Sequence, residues 1–350
     1  VRPARESWIN PALALALCAA AGALFAALRL PLPWMIGPLV AMATCNFAGT
    51  GLRAPRGARE LGQIVIGTAL GLYFTPDVAR EVTSYWHLLL LAGAFAILLG
   101  AMAGWLLGRA AGIDRTTAFF ASVAGGAAEM TILGERFGAR PDLVALGQSI
   151  RILAVVVVVP FALTYSGARG VGAPAPVSVD AVNLAILLGL AAAAGFAVNF
   201  AGMPNGYMFG ALAAVIALTL GGVQLSSVPP AASNAAQVAL GCALGARFQS
   251  RSLRSAPRYV GAVLVSVAAA MAIAAVFAAG LAWASGLPVS TLVLATAPGG
   301  IAEMCITAKV LQLGVPLVTA AHVTRVVVLI TTTGPTFRAV RAWRARFRGR

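Results

Sequence analysis

Apolar residues fall in blocks along this chain and rarely alternate with polar ones. In the first half six apolar segments stand out, at 8–28, 32–47, 61–74, 85–107, 116–137 and 143–165, joined by short polar or Gly- and Pro-containing stretches. Blocks of this kind, apolar on every face, belong to helices without a water-facing side. The longer ones reach the roughly 20 residues that cross a bilayer. The alternating segments of about 10 residues typical of outer-membrane barrels are not seen. The pattern predicts an all-α polytopic membrane protein. The second segment, with Pro33 and Pro38, reads as short and proline-kinked, as does its later counterpart with Pro204. The third is short and Gly-rich. The fourth carries Trp86 and Trp105 near its ends, as interfacial anchors do. The fifth is interrupted by Gly125-Gly126, and Glu135 and Arg136 fit its interfacial end. The sixth contains Gln148 and Arg151.

The second half repeats the first. At an offset of 173 residues Asn10 matches Asn183, Pro31 matches Pro204, Met35 matches Met208 and Gly37 matches Gly210. At an offset of 174, Gln63, Gly67, Gly71 and Phe74 match Gln237, Gly241, Gly245 and Phe248. The block Gly125-Gly126-Ala127-Ala128-Glu129-Met130 returns as Gly299-Gly300-Ile301-Ala302-Glu303-Met304, and Arg151 returns as Arg325. The organisation expected is a first membrane repeat over 1–165, a Gly/Pro/Ser-rich linker over 166–179, a second repeat over 180–337 and a basic tail over 338–350. Because segment 1 takes part in the repeat, it reads as a retained helix and not as a signal peptide.

Charge adds orientation. Only 10% of the residues are charged and 60% are apolar, where a soluble domain carries about 25% charge. The net charge of +15 sits mainly at segment ends and in six arginines of the last 13 residues. That distribution orients a membrane protein and argues against nucleic-acid binding; the tail suits anionic headgroups. The loop with Arg53, Arg56 and Arg59 is basic, whereas its counterpart over 224–234 is uncharged. The next loop reverses this: Asp77, Arg80 and Glu81 nearly cancel, and their counterpart carries Arg247, Arg251, Arg254 and Arg258. Basic loops stay cytoplasmic, so corresponding loops are expected on opposite sides. The repeats then have inverted topology, with about five crossings plus one broken or re-entrant segment each, and both termini are cytoplasmic. Inverted repeats with discontinuous helices are a common plan of secondary transporters.

The candidate chemistry lies at the two breaks. Intramembrane charge costs roughly 2.5–3.5 kcal/mol per residue on insertion scales, so it faces a partner, a cavity or a ligand. The Gly-Gly pairs, Gly125, Gly126, Gly299 and Gly300, free backbone N–H groups that favour an anion. Glu129 and Glu303, one turn later, read as half-helix caps, as partners of the arginines, or as groups binding solute or proton. Arg151 and Arg325 are the candidate anion ligands, since arginine stays charged and presents a planar fork; snorkelling to the interface is the alternative. Gln148 aligns with His322, each three residues before its arginine. His322 is either a proton carrier or a hydrogen-bonded core residue. Gln63 and Gln237 read as interhelical contacts, and the Gly67/Gly71 and Gly241/Gly245 pairs as close-packing faces. Cys18, Cys45, Cys242 and Cys305 lie in apolar segments without CxxC spacing, and His87 and His322 are too few for a metal cluster. No cofactor or metal is expected.

With its Pro31-Leu32-Pro33-Trp34-Met35-Ile36-Gly37-Pro38 block and its two Gly-Gly-x-Ala-Glu-Met blocks, the chain resembles the AbrB-type duplicated membrane protein family. The resemblance spans nearly the whole chain and implies a bacterial inner-membrane protein with a duplicated domain. Family labels of transcriptional regulation or ammonia oxidation imply chemistry for which this sequence shows no helix-turn-helix and no copper or iron ligand set. The expectation is a non-enzymatic permease for a small anionic organic solute, coupled to H+ or Na+, with a homo-oligomer compatible. The alternative is a membrane sensor of gene expression that binds solute and acts through a partner.

Overall fold

The computed structural model describes residues 9–168, 170, 178–248 and 257–348, with side chains described between 11 and 332. Among the described residues every regular element is a helix. The first repeat contains α1 (Ile9–Ala27), α2 (Pro33–Phe47), α3 (Ala58–Gly71), α4 (Pro76–Ser84), α5 (Trp86–Ala111), α6 (Arg115–Ser122), α7 (Ala127–Arg136) and α8 (Pro141–Tyr165). The second contains α9 (Ala181–Phe200), α10 (Gly206–Leu220), α11 (Pro230–Gly245), α12 (Pro257–Ser285), α13 (Val289–Thr296), α14 (Ile301–Leu311) and α15 (Val315–Arg348). Among the described residues five helices are long and apolar enough to cross a bilayer: α5, α8, α9, α12 and α15 through Thr332. Others fall short by length. α10 has 15 residues, about 22 Å at 1.5 Å per residue, against about 30 Å of hydrocarbon.

The duplication extends to backbone conformation. Positive-φ residues recur in register as Arg29 with Gly202, Leu32 with Asn205, Gly49 with Gly222, Gly112 with Gly286, and Gly138 with Gln312. Leu32 (φ 45°) and Asn205 (φ 51°) both precede a helix. A leucine in this region is strained by roughly 1–2 kcal/mol, so the turn is held by its surroundings and not by residue type.

The chain divides into two compact units, each drawing on both repeats. The first comprises 1–80, 156–256 and 305–316. Here α3 packs on α10 and α11 packs on α2. A Cβ on Gly67 would lie 2.7 Å from the Met208 carbonyl, and one on Gly241 would collide with the Met35 carbonyl. Gly71 faces Leu212 and Gly245 faces Leu39 in the same way. The expected close-packing faces are therefore present, and each joins one repeat to the other. Such reciprocal exchange is the signature of a two-fold relation. Gln63 donates to Asn205 Oδ1 at 3.1 Å, as does Arg59 at 3.0 Å, so Gln63 is the interhelical contact expected.

The second unit comprises 81–155, 257–304 and 317–350. α5 packs on α12, with Phe95 stacked on Phe277 and Ser266 donating to the Ala103 carbonyl at 2.8 Å. α6 and α7 form a hairpin. Phe137 stacks on Phe120, a Cβ on Gly134 would lie 3.2 Å from the Phe120 side chain, and Arg140 N donates to Thr117 Oγ1. The broken segment of the first repeat thus turns back on itself.

Two expectations change. Pro33 begins α2 at a position where its missing N–H costs nothing, and Pro204 lies in the turn before α10; of the three only Pro38 lies inside a helix. The loop with Asp77 and Arg80 contains a short helix, α4, whose opening proline and acidic first turn start it. α15 carries the helix on from the second repeat through the basic tail to Arg348. Arg251, Arg254 and most of the linker lie outside the described residues.

Candidate functional site

Each element of the duplicated block has a steric reason. α7 begins after Gly126 and places Glu129 in its first turn. The Glu129 carboxylate folds back over Gly126 into the space a Cβ would fill, and Glu303 does the same over Gly300. Met130 covers Gly125 and Met304 covers Gly299, with a Cβ at either glycine only 2.8 Å away. The first glycine therefore makes room for a methionine and the second for a carboxylate. A glutamate returning to its own helix start complements the positive end of the helix.

The arginines serve the other side of each break. Arg151 donates from Nη1 to the Val123 carbonyl and, at 3.4 Å, to that of Ser122, and from Nη2 to Gly125 at 3.4 Å. Arg325 repeats this 174 residues later. Its Nη1 donates to Ala297 at 2.8 Å and its Nη2 to Gly299 at 2.7 Å. Carbonyls at the end of α6 and α13 have no partner in their own helix, and the dipole there favours a cation. Each break thus has a cation at its carbonyl side and an anion at its N–H side.

Arg151 is 3% exposed, Arg325 4% and Glu303 8%, so all three are buried and none snorkels to the surface. Glu129 is half-buried. The charges of both Arg325 and Glu303 act on Arg151. Gln148 donates from Nε2 to the Phe120 carbonyl at 2.7 Å and to that of Val123 at 2.8 Å. His322 takes its place in the second repeat and is fully buried. Its ring lies beside the Leu294 carbonyl, the counterpart of Phe120, but neither nitrogen meets a partner in hydrogen-bonding geometry.

Both arginines line one cavity of about 20 Å³, room for a single water. Its remaining walls come from α5, α12 and the two breaks and include Ser122, Thr296, Ser266 and Pro298. All ten site residues chosen from the sequence lie in the second unit or at these breaks. The sequence reading passed over the surface that receives the first break. A Cβ on Gly100 would lie 3.0 Å from Val123 Cα, and one on Gly104 2.9 Å from Phe119 Cα. Gly100, Gly104 and Gly108 form a small-residue stripe at four-residue spacing, and that spacing was the available signal. Ser122 and Thr296, at matching positions in the two repeats, were also missed.

An all-helical fold with a duplicated backbone, several bilayer-length apolar helices and a charge-capped break in each repeat defines a duplicated, membrane-type helical protein. The family described as "Transition state regulatory protein AbrB" matches residues 34–341, and the chain belongs to it. It is 29% identical over 318 residues to "Putative regulator AbrB" of Escherichia coli K12, covering 89% of this chain and 90% of that one. It is 27% identical over 353 residues to "Uncharacterized protein YhjN" of Bacillus subtilis 168, covering 93% and 91%.

Proposed function

We propose that this protein is a secondary-transporter-like permease of the bacterial inner membrane. It moves a small anionic organic solute by alternating access between repeats of inverted topology. The observation carrying this reading is that Arg151 and Arg325, one from each repeat, line a single cavity at paired helix breaks. Broken helices around a buried cavity are tolerated in a bilayer because the freed backbone groups find protein partners. The space beside the arginines is about 20 Å³, and alternating access would widen it by parting the breaks. The reversed charge of corresponding loops supports inversion, with both termini cytoplasmic. Glu303 and His322 are the groups for a coupling H+, with Na+ the other candidate ion. The chemistry is transport and not catalysis, with no nucleic-acid partner.

Flux into proteoliposomes tests this. Carboxylates, amino acids and phosphonates are offered with and without a pH gradient to the wild type and to the Arg151→Ala/Arg325→Ala and Glu129→Gln/Glu303→Gln pairs. Flux lost in folded variants supports the permease. Binding without flux for every solute moves the assignment to a membrane sensor that binds solute and signals through a partner; the name of the Escherichia coli relative says only that it is a regulator.

A further inference from the structure

We propose that the groove between α5 and α12 beside Trp105 holds an acyl chain of an anionic phospholipid, with the lipid phosphate against Arg109 and Arg258. The inference stands whether or not the protein moves a solute.

The pairing of the two helices sets the frame. Arg258, at the start of α12, donates from Nε to the Ala110 carbonyl at 3.4 Å. Further along, Ser266 meets the Ala103 carbonyl and Phe277 stacks on Phe95. α12 therefore runs antiparallel to α5, with its first turn beside the last turn of α5. Between them lies a groove of about 380 Å³. Small residues leave it open: Ala103 and Ala270, both buried, line its floor, while Met102, Trp105, Leu106 and Ile273 stand less buried at its sides. Every residue lining it is apolar, so it takes hydrocarbon. Charge then marks one end. Trp105 reads as an interfacial anchor, which puts the end of α5 at headgroup level and the groove below it in the hydrocarbon. Arg109, one turn beyond Trp105, lies over its ring at 5.9 Å, and Arg258 reaches the carbonyl of the next residue. Both arginines are exposed. Asp114, the acidic residue nearest to Arg109 in sequence, accepts from Thr117 N as the cap of α6. Two cations at one end of an apolar groove complement a hydrocarbon chain that ends in an anion. The guanidinium fork suits phosphate, and basic sites between helices take anionic lipid headgroups. A zwitterionic headgroup adds a cation of its own, which the two arginines disfavour.

Native mass spectrometry of the full-length protein counts retained lipid as phosphatidylglycerol or phosphatidylcholine of identical chains is titrated in. Phosphatidylglycerol is expected to bind about tenfold tighter or more, since each arginine near an anionic headgroup adds about fivefold. The chain carries a net charge of +15, so the preference must map to the groove. Arg109→Gln/Arg258→Gln is expected to abolish it. Arg53→Gln/Arg56→Gln removes the same charge from another exposed place and is expected to leave it intact. Ala101→Phe, at an exposed position lining the groove, fills the groove and is expected to weaken phosphatidylglycerol binding with both arginines present. Equal retention of the two lipids overturns the inference. An equal loss in the two arginine pairs also overturns it, because bulk charge alone would then attract the lipid. Glycerol phosphate competing as well as the lipid leaves the groove idle and overturns it too. A lipid-free dimer that Ala101→Phe breaks gives the groove to a second copy of the chain instead. Should the Arg109/Arg258 pair fail to fold, the wild-type series and Ala101→Phe decide.

Discussion

The two glutamates illustrate how a residue's position separates its jobs. Their carboxylates lie over Gly126 and Gly300, where a glutamine serves a helix start as well as a glutamate does. Glu303→Gln keeps that cap but removes a buried negative charge that acts on Arg151, so it is expected to cost about 1–3 kcal/mol, read as thermal unfolding in detergent, while lowering solute flux more than tenfold. Retained flux would reduce the carboxylate to a cap. Gly300→Ala disturbs the cap itself, since its Cβ collides with the Glu303 carboxylate; loss of the cap costs about 1 kcal/mol or more and shows in the same melt. His322 sits where the first repeat has Gln148, which supplies two amide bonds to the α6 carbonyls. His322→Gln is expected to satisfy the Leu294 carbonyl, raise the unfolding midpoint, and leave a flux that no longer responds to a pH gradient. A flux still driven by pH removes His322 from the coupling path. The sequence showed which residues cluster at the breaks, because charges in apolar runs are few. It did not show that the arginines spend donors on backbone carbonyls, since no residue pattern marks which carbonyls a break leaves open.

At the scale of elements, close approach of backbones sets what the helices tolerate. Gly67 on α3 and Gly241 on α11 face carbonyls of α10 and α2 across equivalent contacts. Gly67→Val and Gly241→Val are expected to destabilise by similar amounts, about 1–3 kcal/mol each from overpacking, with matching drops in midpoint. Unequal drops would break the two-fold relation of these pairs. The small-residue spacing made this face legible from sequence. α4 was not legible, because nine residues between longer helices carry too short a pattern to separate from a loop. The hairpin of α6 and α7 was readable as a break, and a re-entrant course was one of the two readings the sequence left open. Its direction is decided by the contact of Gly134 and Phe137 with Phe120, a tertiary fact that Gly-Gly alone leaves undetermined.

At the scale of the whole molecule, the repeat in sequence is not the unit in space. Each compact unit takes segments from both repeats, and the reciprocal glycine contacts give the first unit a two-fold relation. A two-fold relation arises whether its axis lies in the bilayer plane or along the normal, and only the first inverts the repeats. The proposed inversion rests on charge: Arg53 and Arg56 lie in a loop and Arg59 at the start of α3, and their counterpart over 224–234 is neutral. Arg56 and Gln224 are both exposed, so each serves as a reporter. With the four native cysteines replaced by serine or alanine, Arg56→Cys is expected to react with an impermeant maleimide only after cells are opened, and Gln224→Cys in intact cells. Labelling of both from one side would make the repeats parallel. The loop charges would then reflect a bias unrelated to orientation, and the two arginines would approach their shared cavity from the same side of the membrane.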